Sequence, residues 1–458
     1  MNFTAPAFVL GFPLVLALHW ACPPRWRWVL LLAASLAFYA LGSPQAVALL
    51  AVITLGTYMA ALGIGRSRTN TGKNLWCAAA LLLCFGCLGW FKYAGFLTRT
   101  AAALLGFDAP VLNVLLPAGI SFYTFQTLGY VLDVRRGTVE PERHLGHYAL
   151  FVSFFPQLVA GPIERTGALL PQLKNGHRTA DPQGAVLLLR GFAKKLLLAD
   201  AMAPFVDRVY AAPGQGTGPE MLLATLLFAG QIYFDFSGYS DIAVGAAALL
   251  GVRLSRNFAH PYAACSIREF WRRWHISLTR WFTDYLYIPL GGSRCSLVRH
   301  CCNLLLVFLA SGLWHGAAWH FVLWGALHGL FLVAEVCLRR QFPGRALPRP
   351  AAHLLTLALV CFAWVFFRAD SIPAGLQLLA QLPTGWSVSS LAACGQALGA
   401  QTAAQVALGG LCLTLLPERL TGTRREVPAV FWLAVAVGTA WLAGLTANTT
   451  SAFLYFQF

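Results

Sequence analysis

A repeated pattern of long apolar segments with few charged residues inside them is the feature that most constrains the fold. A helix needs roughly 20 apolar residues to cross a bilayer, and several segments approach or exceed that length. Lipid supplies no hydrogen-bond partners to the backbone, so the segments are predicted to be helices. The sequence therefore predicts an all-α polytopic membrane protein with about 10–12 spanning helices, plus shorter interfacial or re-entrant helices. The segments cover residues 5–20, 28–42, 45–64, 75–91, 111–132, 147–160, 184–210, 221–250, 301–314, 317–338, 353–367, 402–416 and 428–447.

The composition agrees with a membrane protein and argues against nucleic-acid binding. Charged residues make up 11% of the chain, whereas a soluble globular protein has about 25%. The net charge is +16, but the basic residues lie mostly in short connections, where the positive-inside rule explains them. No nucleic-acid-binding motif accompanies them. The 12 cysteines show no disulfide-framework spacing, and the Cys84–Cys87 pair lacks the further ligands that a structural zinc site needs.

Short basic loops predict the orientation of the first helices. Arg25 and Arg27 follow the first apolar segment, and Arg66, Arg68 and Lys73 follow the third, whereas the loop after the second has no charge. Because basic loops stay in the cytoplasm, the N-terminus is predicted to be extracytoplasmic. The first segment lacks a basic n-region and a cleavage site, so it is predicted to remain as a spanning helix.

Residues 262–294 differ from the rest of the chain because arginine and tryptophan alternate within them. Helical spacing places Arg268 and Arg272 one turn apart. Such a helix can lie in the membrane interface, with its tryptophans at headgroup depth and its arginines on lipid headgroups. Alternatively, the arginines can hold an anionic donor such as a phosphate-bearing thioester. The basic and aromatic residues are Arg268, Trp271, Arg272, Arg273, Trp274, Arg280 and Trp281.

Two histidines, His275 and His315, are the best candidates for acid–base chemistry. His275 follows the arginines, and His315 lies in an almost uncharged run, where ionisable groups are costly and usually functional. Glycines at 312 and 316 permit a close backbone approach beside His315. A neutral imidazole suits a general base. Neighbouring arginines should lower the pKa of His275, because their positive charges disfavour a protonated imidazole. Because 40 residues separate the two histidines, only the fold can bring them together.

Packing remains an alternative role for a histidine in an apolar helix. Trp314, Trp319 and Trp324 are predicted to form an aromatic surround for His315. His320 and His328 lie nearby, but five and thirteen residues from His315 they fall on different helix faces. No H-E-x-x-H pattern or carboxylate ligand accompanies these histidines, so no metal site is predicted.

Two carboxylates, Asp235 and Asp241, lie within another apolar segment. Intramembrane acids are functional candidates, although pairing with a basic side chain explains them equally well. Arg190, Lys194 and Lys195 form a basic stripe that could pair with them or lie at an interface. No G-x-S-x-G, P-loop or G-x-G-x-x-G motif occurs, which gives no support to a hydrolase nucleophile or a nucleotide site.

Several of these motifs together resemble the membrane-bound O-acyltransferases, in particular the alginate O-acetylation branch and, more distantly, the teichoic-acid D-alanylation membrane protein. The resemblance extends over residues 85–372. It rests on Phe154-Phe-Pro-Gln-Leu-Val-Ala-Gly-Pro162, Gln231–Asp241, Asn257-Phe with Pro261-Tyr262, Ile267-Arg-Glu-Phe-Trp-Arg-Arg-Trp-His275-Ile-Ser-Leu, Asp284-Tyr-Leu-Tyr-Ile-Pro-Leu-Gly-Gly292, Gly312-Leu-Trp-His315-Gly-Ala and Phe366-Phe-Arg-Ala-Asp370.

The resemblance implies a single membrane domain, 1–458, whose helices surround a transmembrane tunnel. Residues 85–372 would form its catalytic core, with N-terminal helices in residues 1–84 and C-terminal helices in residues 373–458. His315 matches the catalytic histidine of the family and His275 the second histidine of the tunnel. The role of His328, where branch members often carry histidine, stays open. His320 stands where a small polar residue is expected.

The resemblance also implies a reaction and a location. An acyl thioester, acetyl-CoA, would be the donor substrate, with no bound cofactor, and an extracytoplasmic polysaccharide would receive the acetyl group. A periplasmic or membrane-anchored SGNH-type acetyltransferase and polysaccharide machinery would be partners, at the bacterial inner membrane. Alternatives are D-alanyl or other acyl transfer from a carrier protein, a transporter, and a non-catalytic scaffold. Candidate donor-binding residues are Arg268, Arg272, Arg273, Trp274, Trp314, Asp235 and Asn257.

Overall fold

Helices make up all the regular secondary structure that the computed structural model describes, in residues 3–110, 112, 114–176, 179–345 and 347–415. Within these residues, six helical stretches are long and apolar enough to cross a membrane. The predicted all-α, multi-pass membrane protein is therefore confirmed. The predicted segment at 428–447 lies outside the described residues. The six stretches are Pro44–Arg66, Asn70–Leu105, Gly218–Leu249, Leu297–His315, Trp319–Gln341 and Arg349–Arg368.

The chain divides into two compact units. The first comprises Met1–Leu188 and Ile242–Arg256. A π-helical turn at Gly89–Tyr93 joins its fourth and fifth helices into one long stretch. The prediction that 1–84, 85–372 and 373–458 are distinct parts of one domain stays a prediction. The helices of the first unit are α1 (Pro6–Ala21), α2 (Arg27–Gly42), α3 (Pro44–Arg66), α4 (Asn70–Leu88), α5 (Ala94–Leu105), α6 (Ile120–Arg136), α7 (Leu145–Ser153), α8 (Phe155–Leu158) and α9 (Thr166–Lys174).

Helix α6 forms the core of the first unit, packed against α3 and α4. Its polar side chains are buried and therefore need partners within the protein. The Gln126 amide donates to the carbonyl oxygen of Phe151 at 2.7 Å and accepts from the Gln157 amide. Gln157 belongs to the motif at 154–162. That motif therefore stabilises the first unit, because it supplies a hydrogen-bond donor to the buried side chain of Gln126 on α6.

The second unit comprises Leu189–Asp241 and Asn257–Phe458. Helices α10 (Gln183–Ala193) and α12 (Gly218–Leu249) run across the sequence boundaries between the units. A π-helical turn at Lys194–Ala199 follows α10, and another at Thr283–Tyr287 follows α14. The remaining helices are α11 (Asp200–Ala211), α13 (Ile267–Arg273), α14 (Ile276–Phe282), α15 (Leu297–His315), α16 (Trp319–Gln341), α17 (Arg349–Arg368), α18 (Ile372–Gln381), α19 (Val388–Leu398) and α20 (Ala400–Leu415).

Helices α15 and α16 pack together through glycines. A Cβ atom on Gly312 would overlap the carbonyl oxygen of Phe321, and one on Gly325 would overlap that of Phe308. The Gly325 Cβ would also lie 3.2 Å from the Gly312 Cα. Small residues let helix backbones approach closely in membranes, where packing rather than the hydrophobic effect drives association. The glycines therefore set the spacing of the two helices that flank His315.

The tryptophans of residues 262–294 are buried inside the second unit. Trp271, Trp274 and Trp281 have relative exposures of 5%, 1% and 6%. Tryptophans at headgroup depth would keep one end in water. The hypothesis of an interfacial helix anchored by these tryptophans is therefore wrong, because α13 and α14 use them to pack against the protein.

We expect Gly325→Ala to destabilise the protein by about 1–3 kcal/mol, because the added methyl meets rigid backbone across the α15–α16 contact. Gly395→Ala, on α19, is the matched control, since nothing lies within 4 Å of its added Cβ. The control should stabilise the protein by up to about 1 kcal/mol through helix propensity. Thermal unfolding in detergent measures both, and an unchanged midpoint for Gly325→Ala would contradict the packing argument.

Candidate active site

The fold brings His275 and His315 together. Their ring centroids lie 6.4 Å apart with the ring planes at 64°. His275 connects α13 to α14, and His315 is the last residue of α15. The two side chains are 0% and 4% exposed. The sequence analysis proposes each histidine separately, and the tertiary structure places the two rings next to each other.

His275 has a left-handed backbone, with φ 42° and ψ 53°. This conformation is costly for a residue with a Cβ, so neighbouring groups must hold it. The carbonyl oxygen of Asn257 accepts from the Ile276 N–H at 2.9 Å. The Asn257 Oδ1 accepts from the Ser277 N–H at 3.2 Å and from its hydroxyl at 2.6 Å. Asn257, a candidate for donor binding, is thus placed to orient the turn that carries His275.

Aromatic rings surround both imidazoles and form a dry environment. Most contacts are edge-to-face, the geometry that aromatic rings prefer. Trp314 contacts both histidines, as the sequence predicted for one of them. Trp319, which was also predicted to surround His315, is instead 55% exposed. The ring-centroid distances are 5.0 Å for His315–Trp314, 5.0 Å for His315–Trp324, 5.5 Å for His315–Phe367, 4.8 Å for His275–Phe236 and 5.7 Å for His275–Trp314.

Burial lowers the pKa of His275 from its ordinary value of 6.5 to about 3. Residue 275 lies outside the six long apolar stretches. The sequence analysis predicts that the neighbouring arginines also lower this pKa, but no arginine contributes to the shift. In the structure Arg272 is exposed, and the charge of Arg273 is compensated by Glu269 at 2.6 Å. The imidazole of His275 is therefore neutral at physiological pH, mainly because it is desolvated.

The other two histidines of this region have different environments. His320 contacts the carbonyl oxygen of Phe366 at 3.0 Å through Nδ1, which connects the start of α16 to the end of α17. His328 is fully buried, and its Nδ1 accepts from the indole N–H of Trp271 at 3.3 Å. Across the part of the chain that the structure describes, no group of three or more His, Cys, Asp or Glu side chains could hold a metal ion.

A cavity of about 350 Å³ lies between α13, α14, α15 and α16. Val307 and Ser311 line it on the same face of α15 that carries His315 one turn later. Arg268 and Arg272 also line the cavity, and both side chains are exposed. No described acidic side chain forms an ion pair with either arginine. The two guanidinium groups are therefore available to an anion that enters the cavity.

Two other candidates for donor binding, Arg273 and Trp274, do not line the cavity. Arg273 pairs with Glu269 at 2.6 Å. Trp274 is 1% exposed and stacks on Phe270 with ring centroids 5.5 Å apart, so it packs the core. Of the four arginines between 268 and 280, only two line the cavity.

Asp235 belongs to a buried ionic network that the sequence suggested as one alternative. Lys195 contacts Asp235 and Asp200, each at 2.7 Å. Lys194 contacts Asp241 at 2.7 Å, and Arg190 lies 3.4 Å from the same carboxylate. Pairing of the basic stripe with the intramembrane acids is therefore confirmed. Buried charges of this kind are tolerated only when paired, so the network connects α10 and its π-helical turn to α12.

Three further residues contribute to this site, and the sequence analysis assigns none of them a role in it although each lies in a motif that it quotes. Ser277 holds the left-handed turn, Phe367 contacts His315, and Trp271 donates to His328. Only Trp271 and Ser277 lie close in sequence to a candidate histidine. Phe367 follows His315 by 52 residues, so nothing in the local pattern could connect the two.

The chain is similar to known membrane proteins over most of its length. A model of the membrane-bound O-acyltransferase family matches residues 142–371, which include both histidines. A probable alginate O-acetylase, AlgI, of Azotobacter vinelandii is 39% identical over 401 residues, covering 85% of this chain and 80% of the relative. Its counterpart in Pseudomonas putida is 36% identical over 488 residues and the full length of both chains. A peptidoglycan O-acetyltransferase of Helicobacter pylori is 34% identical over 416 residues, covering 82% of this chain and 79% of the relative.

We expect His275 to make the protein less stable in acid. Because its pKa in the folded protein lies below the ordinary value of 6.5, the stability that it contributes is complete above pH 6.5. This stability is lost as the pH falls toward about 3, by roughly 1.4 kcal/mol per pH unit. His275→Gln, which cannot titrate, should show a shallower fall in thermal midpoint between pH 7 and pH 5 in detergent. Parallel pH curves for the two proteins would contradict this assignment.

Proposed function

The chain belongs to the membrane-bound O-acyltransferase family, and on that premise we propose that it uses acetyl-CoA to O-acetylate an extracytoplasmic polysaccharide. It is an O-acyltransferase of a multi-pass membrane protein family. The observation that carries the proposal is the buried His275–His315 pair, 6.4 Å between ring centroids, with His315 one turn beyond Ser311 of a cavity that two exposed arginines also line. A polysaccharide acceptor is supported by the relatives, which include a probable alginate O-acetylase and a peptidoglycan O-acetyltransferase.

His315 acts as the general base in this proposal. It takes the proton from an acceptor hydroxyl, whose oxygen then attacks the thioester carbonyl carbon. General base catalysis of this kind contributes roughly 10²–10⁴-fold to the rate. The resulting imidazolium returns the proton to the departing thiolate, so that the products are an acetyl ester and a free thiol. Its position at the end of α15, one turn beyond the cavity-lining Ser311, supports this role.

His275 orients the thioester next to His315. A neutral imidazole offers one N–H donor and one acceptor nitrogen, and both suit a polar but uncharged group. The turn held by Asn257 and Ser277 fixes the direction of the ring. The surrounding aromatic side chains exclude water, which would otherwise hydrolyse the thioester.

Arg268 and Arg272 bind the phosphates of the donor at the mouth of the cavity. Guanidinium groups form charge-assisted bonds with phosphate oxygens, and the two arginines lie one turn apart on α13. The cavity then leads the thioester arm along the α15 face toward His315. In this arrangement the donor enters from the cytoplasm and the acetyl group leaves on the other side of the bacterial inner membrane. The N-terminus is extracytoplasmic, and an SGNH-type acetyltransferase completes the transfer.

His315→Ala should abolish the release of free thiol from acetyl-CoA, because the general base is removed. The protein would be purified into nanodiscs and supplied with acetyl-CoA and alginate chains, and free thiol would be followed over time. His320→Gln is the matched control, because it replaces a buried histidine that contacts Phe366 rather than the pair. Equal release from wild type and His315→Ala would sink the assignment. No release from folded wild type would favour a transporter or scaffold.

Replacing Arg268 and Arg272 by glutamine should raise the KM for acetyl-CoA about ten-fold per charge, because each charge-assisted bond is worth about 1.5–3 kcal/mol. The kcat should change little, since neither arginine touches the reacting atoms. Arg280→Gln is the control: this arginine is exposed on α14 but does not line the cavity. A KM that rises equally in the control would indicate a general charge effect instead of a donor site.

A further inference from the structure

Two buried side chains with ring nitrogens, Trp324 and His328, lie one turn apart on α16, and the first of them contacts His315. Trp324 and His328 are both 0% exposed. Their ring centroids are 5.0 Å apart, and the ring of Trp324 lies 5.0 Å from that of His315. Leu332, one further turn along the same face, lines the cavity. The α16 face that carries these rings therefore runs from the cavity to the general base.

Neither donor has an acceptor within the described residues. The indole nitrogen Nε1 of Trp324 and the Nε2 of His328 are buried and make no hydrogen bond there. Buried polar groups in native proteins almost always have partners, and each exception needs an explanation, of which a catalytic role is one. Trp364 shows the usual case in the same aromatic cluster, because its indole N–H donates to the Tyr262 hydroxyl at 3.1 Å.

The hydrogen bond from Trp271 fixes the tautomer of His328. An indole N–H can only donate, so the His328 Nδ1 that it contacts at 3.3 Å must carry the lone pair. The proton of the ring is then on Nε2, which makes that nitrogen a donor. Trp324 and His328 therefore each carry a buried N–H group that no acceptor among the described residues satisfies.

We propose that Trp324 and His328 form the oxyanion hole of the acyl transfer. This inference rests on the proposed function. When the acceptor oxygen bonds to the thioester carbon, the carbonyl electron pair moves onto its oxygen, and that oxygen accepts from the Trp324 and His328 N–H groups. The tetrahedral intermediate then collapses, the carbonyl re-forms, and the carbon–sulfur bond breaks. The thiolate takes the proton that His315 removed, which balances the reaction.

Removing a hydrogen-bond donor from an oxyanion hole is expected to lower kcat without lowering the stability of the protein. Removing one donor from such a site costs about 10²–10³-fold in kcat. Trp324→Phe keeps the ring but removes its N–H, so kcat should fall about 100-fold while the KM for acetyl-CoA stays unchanged. The thermal midpoint should not fall, because the lost N–H had no acceptor in the protein. Trp364→Phe should do the reverse, with normal kcat and a lower thermal midpoint.

His328 provides a second, independent test. His328→Leu removes the donor and should lower kcat about 100-fold. His328→Gln supplies an oxygen that can accept from Trp271 and an N–H that can donate, so it should retain more kcat than His328→Leu. A purely structural role for His328 would lower the thermal midpoint in proportion to the loss of activity.

The decisive experiment compares these variants in nanodiscs with acetyl-CoA and alginate chains. Low kcat in Trp324→Phe with unchanged KM and midpoint, and normal kcat in Trp364→Phe, would support the oxyanion hole. Wild-type kcat in Trp324→Phe, or equal losses in both tryptophan variants, would overturn it while leaving the His315 assignment intact. Absence of His315-dependent thiol release in the wild type would overturn the proposed function and this inference together.

Discussion

The close contact between the backbones of α15 and α16 at Gly312 and Gly325 is the constraint on which the rest of the second unit depends. Because a Cβ at either glycine would overlap the facing backbone, the two helices approach more closely than larger residues would permit. In a membrane, such packing replaces the hydrophobic effect as the force that holds helices together. The same contact sets the ring of His315 against Trp324, and thereby builds one side of the site from two neighbouring helices.

The other side of the site depends on a short, strained turn. His275 reaches His315 because its backbone is left-handed, and Asn257 stabilises that turn with hydrogen bonds to residues 276 and 277. A polar turn can be buried only when its groups have partners, which explains the asparagine and serine within an otherwise aromatic core. The same rule governs the ionic network around Lys195, where each buried charge faces an opposite one.

Much of the site could be predicted because the relevant physics is local. Ionisable residues are costly near lipid, so His275, His315 and the arginines stood out from the apolar sequence. Which face of a helix they occupy could not be predicted where every face is apolar. The prediction of an aromatic surround therefore holds for Trp324, which packs on His315, and is wrong for Trp319, which is exposed. Arg268 and Arg272 line the cavity, whereas a neighbouring glutamate pairs with Arg273.

The sequence by itself determined that this chain is an all-α, multi-pass membrane protein and that its motifs are those of an O-acyltransferase. These conclusions need only the length and polarity of each segment and the order of residues within each motif. The tertiary structure alone decided that His275 and His315 meet, that Asp235 is held in an ion pair, and that Trp271 fixes the tautomer of His328. Each of these contacts joins residues from different helices, and their geometry follows from packing, which no local pattern of residues specifies.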